Sequence, residues 1–101
     1  MKNKSIMQRA PSYCYLCEKL YGKYRMTNLE RHHAMHGTGG RPLAEKYGLY
    51  VWLCKEHHTV GSEAVHNNRE NDLVLQEDAQ RAFEREYPGL SFLEVFGINR
   101  L

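Results

Sequence analysis

Two short spacings constrain this chain most: Cys14-x-x-Cys17 near its start and Cys54-x-x-His57 near its middle. Each lets one tight turn present two ligands, and the two turns together complete a tetrahedral Cys3His set for a structural zinc ion. Any fold that satisfies this must bring the two turns to one point. The chain has 101 residues, a single domain in which a hydrophobic core alone gives thin stability, so a structural ion is physically useful. Bound zinc would contribute on the order of 10 kcal/mol to folding, comparable with the whole stability of a small domain. A redox role for Cys14 and Cys17 is the alternative, but nothing near them provides the strand-to-helix setting of a thioredoxin-type motif. Three cysteines cannot all pair among themselves, which disfavours a disulfide framework.

All six histidines and all three cysteines lie between Cys14 and His66, with Glu30-Arg31-His32-His33 inside that interval. The net charge of +2 divides unevenly: +3 over residues 1–12, +3 over 13–61 and −4 over 62–101. A basic half that also holds the metal ligands suits a polyanion such as nucleic acid, although an ordinary solvated surface accounts for so small a surplus equally well. No apolar run reaches membrane-spanning length, and the stretch from Met1 to Pro11 is polar and basic without an apolar signal core. The expectation is an unexported, cytoplasmic protein in a reducing compartment, with no membrane partner.

Residues 1–12 show no periodicity and are expected to form a flexible basic arm. Two strands are expected, one drawn loosely from Leu29 to His33 and one from Leu49 to Leu53, whose LYVWL run is rich in β-formers. Between them, Gly37-Thr38-Gly39-Gly40-Arg41-Pro42 reads as a loop connecting a hairpin, with Arg41 available to a phosphate. It is not a P-loop, because no Gly-Lys-Ser/Thr follows. Asn71-Asp72 can cap a helix to about Tyr87, on which Leu75, Ala79, Ala82 and Phe83 share a face, and Pro88-Gly89 stops it. Ser91-Phe92-Leu93-Glu94 opens a short final helix that Gly97 ends. The expected fold is α+β, a zinc-braced core over residues 13–70 with a C-terminal helical cap over 71–101. Those helices are most simply a lid on the core; Phe92, Phe96, Ile98 and Leu101 would alternatively suit a homodimer face.

Leu29-Glu30-Arg31-His32-His33, a glycine-containing segment and then Leu53-Cys54-x-x-His57-His58, framed by Cys14-x-x-Cys17, resembles the ββα-metal (HNH, or His-Me finger) endonucleases. The likeness is to small phage-type HNH proteins and, more distantly, to phage recombination-enhancement nucleases that act with a host recombinase. It covers residues 14–66. It implies a ββα-metal core, DNA as substrate, a role in phage or prophage DNA processing in the host cytoplasm, and a catalytic divalent ion, Mg²⁺ or Mn²⁺ with Zn²⁺ as a further option. It also implies that His33 is the general base, that His32 and His58 hold the catalytic ion, and that His66 is a third ligand displaced from the family's usual spacing. The family's middle asparagine is missing, since the matching stretch reads Lys46-Tyr47-Gly48-Leu49.

The residue types suit phosphodiester hydrolysis on their own terms. Imidazole titrates near neutrality, so His33 can take a proton from water. An ion on His32 and His58 can bind the scissile phosphate and the leaving oxygen, and Arg31 and Arg41 match phosphate oxygens in a fork. Neighbours on a regular strand face opposite ways, so His32 and His33 share a site only where the strand ends or bulges. His36 reads as a loop histidine, and Glu30 as a solvated strand residue, with a ligand or an imidazole partner as its alternatives. His66 is either a ligand or a helix-surface residue. His57 fits the zinc spacing, with His58 as its alternative. Two other functions stay in play: a non-catalytic zinc-stabilised DNA-binding or adaptor module, and a phage factor that binds protein through the apolar tail.

Overall fold

The computed structural model describes residues 4–8 and 13–101, the side chain of Thr38 apart. The elements run α1 (Tyr15–Tyr21), β1 (Glu30–His33), α2 (Gly37–Tyr47), β2 (Tyr50–Leu53), α3 (Lys55–His58), α4 (Arg69–Glu86) and α5 (Phe92–Phe96), an α+β arrangement. The β1 and β2 strands pair antiparallel, with Glu30 opposite Leu53, Arg31 opposite Trp52, His32 opposite Val51 and His33 opposite Tyr50. Opposed residues share a face, so Glu30, His32, Val51 and Leu53 look one way and Arg31, His33, Tyr50 and Trp52 the other. The first face is the inner one: Val51 and Leu53 are fully buried against Leu16, Leu75 and Phe83.

Local chemistry accounts for most element ends. The Cys14 Sγ caps α1 by accepting from the Cys17 N–H, and Gly22 ends that helix in the left-handed region. Asn68 caps α4 with its side chain on the Asn71 N–H, so the helix starts a turn before the expected Asn71-Asp72 cap. Leu75, Ala79, Ala82 and Phe83 are its buried apolar row as expected. The Ser91 hydroxyl accepts from the Glu94 N–H and Gly97 closes α5, again as expected. Phe92 turns inward onto Phe83 and stacks on Phe96, with Tyr47 and Tyr87 completing an aromatic cluster under the C-terminal helices. The tail therefore covers the core as a lid, while Leu93 and Leu101 stay exposed.

Two expectations need correction. The segment starting at Gly37 is the first turn of α2, not a loop. Glycine costs about 1 kcal/mol and an internal proline about 3 in a helix, which is why the composition argues for a loop. The stretch Leu43-Ala44-Glu45-Lys46-Tyr47 is helix-favouring and ends on Gly48 in the left-handed region, and burial of Ala44 holds the whole connection down as a helix. The second correction concerns the arm. Residues 1–3 and 9–12 lie outside the described residues, but 4–8 are tied along β2. The Ser5 hydroxyl donates to the Tyr50 carbonyl at 2.6 Å, the Trp52 N–H donates to Gln8 at 3.0 Å, and the Ile6 N–H donates to the Gly48 carbonyl at 2.9 Å. These bonds occupy polar groups that an edge strand leaves open.

Gly48 is where that docking depends on a missing side chain. Its φ is +76° and a Cβ there would lie 2.3 Å from the Lys4 carbonyl oxygen. Gly48→Ala is expected to destabilise the domain by about 1–3 kcal/mol, from the left-handed conformation and displacement of the docked segment. Urea unfolding checks this, and an unchanged midpoint would contradict it.

Candidate functional site

The two knuckles meet. Cys14 and Cys17 come from the start of α1, Cys54 follows β2 and His57 lies in α3, and all four are buried. His57 Nδ1 lies 3.6 Å from Cys14 Sγ, 3.4 Å from Cys17 Sγ and 3.4 Å from Cys54 Sγ, and Cys17 and Cys54 Sγ are 3.8 Å apart. A tetrahedron with metal–sulfur bonds near 2.3 Å and a metal–nitrogen bond near 2.05 Å has edges of about 3.8 Å and about 3.6 Å, so the donor atoms already sit at ligand spacing. A disulfide needs sulfurs about 2.05 Å apart, and the cysteines are free thiols.

The chemistry of the set also fits a cation. Burial, then the neighbouring Cys14 and Cys54, push the Cys17 thiol up to about 12, and burial likewise raises Cys54. Thiolates crowded in a buried pocket repel one another, and a dication reverses that balance by ligating them. The geometry separates His57 from His58: the former turns into the cysteine cluster and the latter does not. Glu63 Oε1 stands 3.4 Å from the far nitrogen of His57, outside hydrogen-bond geometry.

A second cluster lies on the inner face of the hairpin. Ligand atoms of His32, His58 and His66 all fall within 4.8 Å of one another, and the ring centroids are 5.0–5.3 Å apart. His32 is buried, and its Nε2 is without a hydrogen-bond partner. A buried ring nitrogen left in this way costs free energy unless something binds it. Burial first, then the nearby imidazoles of His58, His66, His36 and His33, lower the His32 pKa to about 3; burial also lowers that of His66. Neutral imidazole is the ligating form. Nδ1 of His58 meets the Glu30 carboxylate at 2.9 Å, the carboxylate–histidine pairing that orients a metal ligand through its other nitrogen.

His66 belongs to the turn before α4 rather than to a helix surface. The Val65 N–H donates to the His57 carbonyl at 2.8 Å, and the Asn67 side chain donates to the Thr59 and Gly61 carbonyls, so the loop is pinned with His66 beside His58. The three imidazoles leave one side open to a surface concavity.

His33 leaves the opposite face of β1. The register is regular and the strand ends at His33, so no bulge is needed: a concavity of about 670 Å³ wraps the strand end and is lined by both His32 and His33. Arg31, His36, Arg41, His58 and His66 complete its wall. His33 Nε2 is 2.9 Å from Glu45 Oε1 on α2, and Arg31 donates to the same oxygen at 2.6 Å while lying over the Tyr50 ring. Arg31 is thus partly engaged within the protein, whereas Arg41 is exposed on the rim.

His36 lies in the connection just before α2, as expected of a loop histidine, and makes no capping bond to that helix. Its Nε2 is 3.2 Å from both carboxylate oxygens of Asp72, which is buried on α4 and also receives Gln76. Glu45 and Asp72 are the two residues at this site that sequence reasoning missed. The first lies on a helix whose opening was read as a loop, and the second was assigned to a helix cap. No protein-family model matches the chain, and neither does any curated protein or solved structure.

Proposed function

We propose that the chain is a metal-dependent endonuclease of the HNH, ββα-metal type that hydrolyses DNA phosphodiester bonds, braced by zinc on Cys14, Cys17, Cys54 and His57. One observation carries the proposal: three imidazoles at ligand spacing share one open, arginine-flanked concavity with a fourth, His33, that is held by a carboxylate. The antiparallel pair of β1 and β2, joined through α2 and followed by the short α3, supports this reading. A divalent ion on His32, His58 and His66 would supply a binding site for the phosphate and stabilise charge on the leaving oxygen. His33 takes the proton from the attacking water. Arg41, exposed on the rim, and Arg31 contact phosphate oxygens and set the register of the strand. Glu30 holds His58 in its ligating orientation.

The test is cleavage of supercoiled and single-stranded DNA by the zinc-loaded protein. Cutting is expected to require a divalent ion at the histidine trio, added as Mg²⁺ or Mn²⁺ or supplied as further Zn²⁺. DNA binding without cutting under any ion would instead favour a zinc-stabilised adaptor module, the reading to which the absent middle asparagine points.

A further inference from the structure

We infer that Glu45 is the positioning residue for His33, taking over the task left open by the missing middle asparagine. This rests on the nuclease reading of the site. Arg31 and His33 are two residues apart on β1 and so project from one face of the hairpin, with Tyr50 directly opposite His33 in register. The α2 helix lays Glu45 over that face. Its Oε1 stands 2.9 Å from His33 Nε2 and accepts from Arg31 Nη2 at 2.6 Å, and the Arg31 guanidinium is in turn seated 4.5 Å from the Tyr50 ring centre. Two side chains of β1 therefore meet one carboxylate oxygen of α2, and Tyr50 of β2 backs one of them.

An ionised carboxylate only accepts, so the imidazole nitrogen that faces it carries the hydrogen. His33 is then held as the Nε2–H tautomer, with the lone pair on Nδ1 as the site that takes the proton. The arginine on the same oxygen holds the carboxylate in place. Without Glu45 the ring would be free to rotate and to exchange tautomers, and the fraction poised as a base would fall. The two faces of the hairpin thus divide the work: the inner face carries His32 for the ion, and the outer face carries His33 and the acid that orients it.

The experiment compares zinc-loaded wild type, Glu45→Ala and Glu45→Gln by long-range proton–nitrogen NMR of the His33 ring at about pH 8, and by DNA cleavage kinetics. Expected is an Nε2–H tautomer in wild type that becomes mixed in Glu45→Ala, with kcat down about 100-fold and KM for DNA nearly unchanged. In Glu45→Gln the amide oxygen can still accept, so tautomer and most of kcat should return. An Nδ1–H tautomer in wild type, or Glu45→Ala with unaltered tautomer or unaltered kcat, overturns the inference. If wild type cuts no DNA, the nuclease reading fails separately, and the tautomer alone decides whether Glu45 positions His33.

Discussion

Removing the ion from the Cys3His site is expected to collapse the hairpin half of the domain. Zinc bound by such a set is worth on the order of 10 kcal/mol, while a domain of this size has about 5–15 kcal/mol in total. The parts that depend on it cannot stand alone: α1 has 7 residues and α3 has 4, both well below the length at which an isolated helix persists in water. The two-stranded sheet is likewise too small for independent stability. Without the cation, three buried thiols and an imidazole would be left crowded together, with His57 Nε2 unpartnered. The 18-residue α4 and the aromatic cluster around Phe83 pack away from the site, so some helix should survive. Circular dichroism and amide NMR dispersion before and after a strong zinc chelator, with metal analysis of the purified protein, measure this. Loss of β and near-native dispersion, restored by zinc but not by magnesium, is the expected result. A protein that is purified without zinc, or whose spectra ignore chelation, would remove the structural-zinc proposal.

His33→Ala is expected to lower the DNA cleavage rate by about 10²- to 10⁴-fold, the range over which a positioned general base acts. The substitution should leave the fold intact. His33 is at the strand end, contacts Glu45 and Tyr50, and is not part of the buried core. DNA affinity should also change little, because Arg41 and the imidazole trio are untouched. Single-turnover cleavage under saturating protein, with a parallel binding titration, separates these effects. If the variant cuts at nearly the wild-type rate, the base lies elsewhere. His36, fixed by Asp72 in the same concavity, would be the next residue to test.

Residue spacing and local propensity made several features legible beforehand. The two knuckles, the LYVWL strand, the buried row from Leu75 to Phe83 and the Ser91 and Gly97 caps each depend on residues within a turn or two of one another. Such signals survive in the linear order because helix period, pleat and capping bonds span only a few positions. Other features have no local trace. Glu45 meets His33 from 12 positions away, Asp72 meets His36 from 36, and residues 4–8 reach Tyr50 and Trp52 from more than 40. The choice of His57 over His58 for the cysteine cluster followed the spacing, but the arrival of His66 beside His58 needed a loop pinned by Asn67. The conformation of α2 belongs to the same class, since its glycines and proline argue locally for a loop and only packing of Ala44 outweighs them. The sequence by itself determined the ligand types, their paired spacing and the class of fold that could bring them together. Which carboxylate faces His33, His36 and His58 was set by the tertiary structure, because those contacts depend on how distant segments pack, and packing free energy has no counterpart in the neighbouring residues.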